Sequence, residues 1–115
     1  MKRKSISKTT RQKVLDKYDG HCAYCGKVLD LKTLRVDHLH PHYRGGEDIF
    51  ENYMPACYQC NFYKSTLSLE QFREQLRTLH ERISKPFIAR LGLDYGIIEI
   101  KPFNGKFYFE EEATD

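Results

Sequence analysis

Two cysteine pairs constrain this chain more than any other feature. The stretches CAYC and CYQC set Cys22 beside Cys25 and Cys57 beside Cys60. Two residues between thiolates let one tight turn aim both sulfurs at a single ion, and two such turns supply the four ligands of a closed tetrahedral zinc site. The 31 residues between the pairs exceed the gap of a zinc ribbon. A whole structural unit therefore sits between the knuckles. With every position filled, the ion has no open coordination for substrate, so its work is structural, and its binding adds folding free energy to a small core. The rivals are disulfides and a redox pair. A redox CxxC calls for an adjoining βαβ pattern, which is absent. His21 adjoins Cys22 and could compete as a ligand, but four thiolates suffice, and it reads as a bystander.

The rest of the sequence sets the surroundings. The N-terminus is charged with no apolar h-region behind it, and no apolar run approaches the ~20 residues of a membrane span. The expected compartment is the cytoplasm, where cysteines are more often ligands or thiols than disulfides. A chain of 115 residues makes one domain, and 40% apolar residues bury a modest core. The net charge of +3 is unevenly spread. Residues 1–19 hold Lys2, Arg3, Lys4, Lys8, Arg11, Lys13 and Lys17 against two aspartates. Glu110, Glu111, Glu112 and Asp115 crowd the other end. Two readings stand side by side: solvated tails of opposite sign, or a basic arm that follows a phosphate backbone.

Along the chain, Thr9 or Thr10 can cap a helix reaching about Tyr18, with Val14, Leu15 and Tyr18 on its buried side. KVLDLKTLRVDHL reads as two short strands, near 27–29 and 34–39, around a turn at Asp30 to Thr33. HPHYRGGEDIFEN is a loop punctuated by Pro41, Gly45 and Gly46. A helical stretch begins at Asn61. Ser68 and Gln71 fit a capping box, and Leu69, Phe72, Leu76, Leu79 and Ile83 recur at helical spacing to about Ser84, before Pro86. Asn104-Gly105 predicts a terminal β-hairpin.

Between the knuckles, LRVDHLHPHYRGG concentrates three of the five histidines and an aspartate behind a short apolar run. In order, the chain offers a Cys pair, a strand, Asp37-His38, a Gly-bearing loop, Asn52, a second Cys pair, and Asn61 opening a helix. CAYCG, VDHLHPHYRGG, FENYMPACYQCN and the trailing YK together resemble the zinc-knuckle version of the HNH endonucleases, the ββα-metal nucleases. The resemblance covers about residues 10–80.

It implies an α+β fold: a ββα-metal (HNH) core stapled by a four-cysteine zinc site, with an N-terminal helix, a long C-terminal-side helix and the terminal β-hairpin. Residues 1–9 would form a basic arm, 10–84 the nuclease domain and 85–115 an extension packed on it. His38 matches the general base, and an imidazole, with an ordinary pKa of about 6.5, suits taking a proton from water near neutral pH. Asp37 and Asn61 match the ligands of one catalytic divalent cation, Mg2+ or Mn2+. Asn52 matches the middle residue of the family name, bracing the loop or orienting His38. Asn61 stands where many relatives have histidine. Adjacent strand residues point to opposite faces, so Asp37 and His38 can serve one phosphate only at a twisted strand end.

Arg44, Lys64, His42 and His40 are candidates for contact with nucleic acid, each set against an ordinary exposed or partly buried role. The implied function is a metal-dependent DNA endonuclease, nicking or weakly sequence-specific, because no second reading module is attached. The alternatives are a zinc-stapled module that binds nucleic acid without cutting it, a nuclease for RNA, and a nuclease that needs a partner protein. Nothing in the sequence indicates that partner.

Overall fold

The computed structural model describes residues 5–112. Lys2, Arg3, Lys4 and Asp115, four of the charges at the two ends, lie outside the described residues.

The first helix, α1 (Lys8–Asp16), starts earlier than the threonines suggest, because the Ser7 hydroxyl accepts the Thr10 N–H at 3.1 Å. Val14 and Leu15 are its buried face. Two basic residues of this region are spent on the fold. Arg11 donates to the carbonyls of Leu31 and Leu34, and Lys17, just beyond the helix, donates to those of Phe50 and Tyr53.

Strand β1 (Arg35–His38) pairs antiparallel with β2 (Tyr53–Ala56), with Val36 opposite Pro55 and His38 opposite Tyr53. Helix α2 (Tyr58–Lys64) follows after Cys57, completing a ββα unit. The expected strand at 27–29 is only an isolated bridge between His21 and Val28. The true partner of β1 comes after the loop. Every residue of β2 is buried, so its sequence, YMPA, shows no alternation. Pro55 lacks an N–H but is tolerated in a strand with one neighbour, and its carbonyl accepts the Ala23 N–H at 2.8 Å.

Among the described residues, those up to Leu69 and those from Phe107 onward form one compact unit, and Glu70–Lys106 a second. In the second unit the expected long helix is two helices, α3 (Leu69–Arg77) and α4 (Leu79–Ile83). The Thr78 hydroxyl bonds back to the Glu74 and Gln75 carbonyls, and the Arg82 guanidinium also takes the Gln75 carbonyl. The Glu74 carbonyl keeps its bond from the Thr78 N–H at 3.3 Å, and the regular helix is interrupted at Thr78 alone. Helix α5 (Phe87–Asp94) follows Pro86.

The terminal hairpin is not formed. No strand lies between Ile97 and Glu112, and the segment ends in a short helix, α6 (Tyr108–Glu112). Asn104-Gly105 still turns, with the Asn104 side chain accepting the Lys106 N–H and Gly105 at φ 88°. The backbone beyond it bonds elsewhere: Tyr108 and Phe109 donate their N–H groups to Tyr24 and Ala23 of the first knuckle. Pro102 also removes a donor that a hairpin ladder would use. No helix among the described residues is long and apolar enough to cross a membrane.

Candidate active site

The two knuckles meet. The sulfurs of Cys22, Cys25, Cys57 and Cys60 lie within 4.8 Å of one another, and none is in a disulfide. Each turn is built locally. In the first, the Cys22 N–H bonds the Lys27 carbonyl, and Gly26, at φ +83°, donates back to the Cys22 carbonyl. In the second, Cys57 caps α2 and its sulfur accepts the Cys60 N–H.

A tetrahedron with Zn–S bonds of about 2.3 Å has edges of roughly 3.8 Å, and Cys25 and Cys57 stand 3.8 Å apart. The donor set therefore fits zinc. S–H donation from Cys25 and Cys60 pulls the Cys22 thiol far below its ordinary range; hydrogen bonding to Cys22 pushes Cys25 up to about 11, and pushes Cys60 up as well. His21 is not among the donors: its ring stacks on Tyr108 and its Nδ1 faces the Tyr18 carbonyl.

Beside this centre, the end of β1, the following loop and α2 enclose a cleft of about 460 Å³, lined by Asp37, His38, His42, Tyr43 and Asn61 among others. The structure thus brings Asp37, His38 and Asn61 together. Both strand neighbours reach the cleft because regular pairing stops at His38.

Asp37 is buried, and its Oδ2 accepts the Tyr24 hydroxyl at 2.5 Å and lies 3.1 Å from the Lys64 ammonium. Burial pushes its carboxyl above the usual range, opposed by Lys64, Tyr24 and His38. The same burial, then the Asp37 charge, push the Tyr24 phenol well above its ordinary value, so it stays a donor. Oδ1 of Asp37 has no hydrogen-bond partner among the described residues, and neither has the side-chain amide of Asn61. Two oxygen donors at one cleft wall suit a hard divalent cation that takes its other ligands from water and phosphate.

Lys64 corrects the sequence reading. Its side chain is 0% exposed and donates to the His38 carbonyl at 2.9 Å as well as pairing with Asp37. It cannot touch a phosphate outside. Its place at the inner end of α2, beneath β1, makes it a structural cation.

His38 is buried, with Nε2 2.6 Å from Oδ1 of Asp48 and its ring edge-on to Tyr53. Because a carboxylate only accepts, Nε2 carries a proton, and in the neutral imidazole the lone pair is then on Nδ1. His42 reaches the other oxygen of Asp48 at 3.7 Å, and its ring lies edge-on to His38. Sequence reasoning missed Asp48. The available signal was a carboxylate ten residues past His38 in a loop that two glycines fold back.

That fold-back is held by Asn52. Its Oδ1 accepts the His40 N–H, its Nδ2 donates to the His40 and Glu47 carbonyls, and its own carbonyl takes the Leu39 N–H. None of these Asn52 hydrogen bonds goes to the His38 ring; they close the loop that carries Asp48. A Cβ on Gly46 would lie 1.7 Å from the His40 carbonyl oxygen, so only glycine fits there. Arg44 is exposed and ties the loop to the chain after α2 through the Thr66 carbonyl at 2.7 Å. His40 is exposed but lines a separate hollow with Gly46, Glu47 and Asn52, outside the cleft.

Residues 22–66 match the HNH endonuclease family model. The stretch of this chain that is similar to HNH endonucleases thus runs from the first knuckle to just past α2, over somewhat more than a third of the sequence. No curated protein matched the chain.

Proposed function

We propose that the chain is a metal-dependent endonuclease that hydrolyses phosphodiester bonds in DNA. The observation that carries this reading is the shared cleft: a buried histidine held by a carboxylate, beside an aspartate oxygen and an asparagine amide that have no hydrogen-bond partner among the described residues. A binding module has no need of that set.

In the proposed reaction, Nδ1 of His38 takes a proton from the attacking water. Asp48 fixes the ring and stabilises the imidazolium that results. Asp37 and Asn61 would hold a magnesium or manganese ion, whose chemistry there would be Lewis-acid stabilisation of charge on the phosphate and the departing oxygen. Lys64 and Tyr24 hold the Asp37 carboxylate in one orientation from behind. Lys64 offsets part of the Asp37 charge, which would weaken a cation's hold on that carboxylate. His42 and Tyr43, at the cleft wall, stand beside the bound strand, with Arg44 on the same loop. Zinc held by the four cysteines would fix the start of α2, where Cys57 caps the helix and Cys60 adjoins Asn61.

The test is cleavage of supercoiled plasmid by zinc-loaded protein with and without added magnesium or manganese. Cleavage that requires the added ion is expected. Cutting that persists after chelation of everything but the zinc would remove the cation from Asp37 and Asn61.

A further inference from the structure

Two aromatic rings stand in solvent on the helix that lines the cleft. Tyr58 and Phe62, one turn apart on α2, are 61% and 71% exposed. Their rings stack with centroids 5.8 Å apart and planes 24° from parallel. The Arg35 guanidinium lies 5.6 Å from the Tyr58 centroid, and Arg35 has no carboxylate partner among the described residues. Rings this exposed contribute little to the core, so their role is outward.

Their register connects them to the cleft. Asn61, which lines it, follows Tyr58 by three positions on α2, so the two side chains are neighbours on the helix surface, about 5–6 Å apart at Cβ. A strand with its phosphate in the cleft brings its neighbouring bases over the rings. In a duplex those bases are stacked and present only edges, whereas an unpaired base offers a face to an aromatic ring and to an arginine plane.

We infer that the preferred substrate is nucleic acid with unpaired bases next to the scissile phosphate, a single strand or a frayed junction, held on the Tyr58–Phe62–Arg35 platform. The inference rests on the nuclease reading of the cleft. It goes further in naming what lies beside the cut, and continuity with the cleft and the Arg35 charge, which no carboxylate offsets among the described residues, favour a nucleic-acid occupant over a protein one.

The experiment compares a short fluorescently labelled single strand with its duplex by anisotropy, at one fixed salt concentration. It uses the full zinc-loaded chain carrying His38→Ala so that nothing is cut. The single strand is expected to bind at least about tenfold tighter, and Phe62→Ala to lose about tenfold of that affinity while leaving duplex binding unchanged. Phe62→Tyr should keep it. Equal binding of strand and duplex would overturn the inference, and so would a Phe62→Ala variant that binds the strand normally, the result expected if the rings dock a protein. Plasmid cleavage with His38 intact reports separately. Cutting without strand preference sinks only the platform, and strand preference without cutting sinks only the nuclease.

Discussion

The ammonium of Lys64 lies 3.1 Å from Oδ2 of Asp37, and both side chains are buried. Removing one partner leaves the other as an uncompensated buried charge, at a cost of about 3–5 kcal/mol. Lys64→Met and Asp37→Asn are each expected to lower stability in urea by that order, and the double variant to lose much less than their sum. Burial already raises the Asp37 carboxyl above its ordinary 3.8, so protonation relieves it in the folded state. The Lys64→Met deficit should therefore grow as pH rises through that raised value and shrink as pH falls toward 3.8. A pH-independent deficit, or additive single variants, would mean the pair is not coupled.

In the proposed reaction the Asp48 carboxylate acts through His38, so its loss should appear in the chemical step. Asp48→Asn is expected to lower kcat by roughly tenfold or more with KM nearly unchanged, and Asp48→Glu to recover part of it. Because the side chain is 42% exposed, the fold should tolerate both. An effect confined to KM would instead place Asp48 in substrate binding.

The raised thiols of Cys25 and Cys60 make zinc loading a proton-releasing event. Calorimetry in buffers of different ionisation enthalpy should show their protons expelled on binding, and affinity should fall as pH is lowered. Cys57→Ser should lose zinc and stability together. A Cys57→Ser protein that keeps one zinc per chain would take Cys57 out of the centre.

The loop around Asn52 has no slack at Gly46, where a Cβ meets the His40 carbonyl oxygen. Gly46→Ala must displace that carbonyl and break the bond from Asn52, shifting Asp48 and His42 together. Gly46→Ala and Asn52→Ala are thus expected to lower activity by similar factors, with zinc content intact. Normal activity in Gly46→Ala would show that the loop does not position Asp48.

Both knuckles, the Asp37-His38 strand end and the N-terminal helix were legible because each rests on local spacing. The features that escaped depend on where a residue lands in space. Lys64 sits in a run that reads as a polar helix end, and nothing local marks a lysine as buried. In YMPA both faces are covered, which erases the period of two that identifies a strand such as β2. Asn104-Gly105 supplied a sound turn, but the N–H groups after it found Tyr24 and Ala23 in place of a partner strand. Asp48 was visible only as one acid among several, and the return path set by Asn52 gave it its role.

The central claim is that the cleft cuts, with His38 as the base. Its most direct measurement is nicking of supercoiled plasmid by zinc-loaded wild type and His38→Ala, side by side, with magnesium or manganese added. Nicking by the wild type, and none by a variant that keeps its fold and zinc, is the expected result. A His38→Ala rate within a few-fold of wild type would contradict the claim.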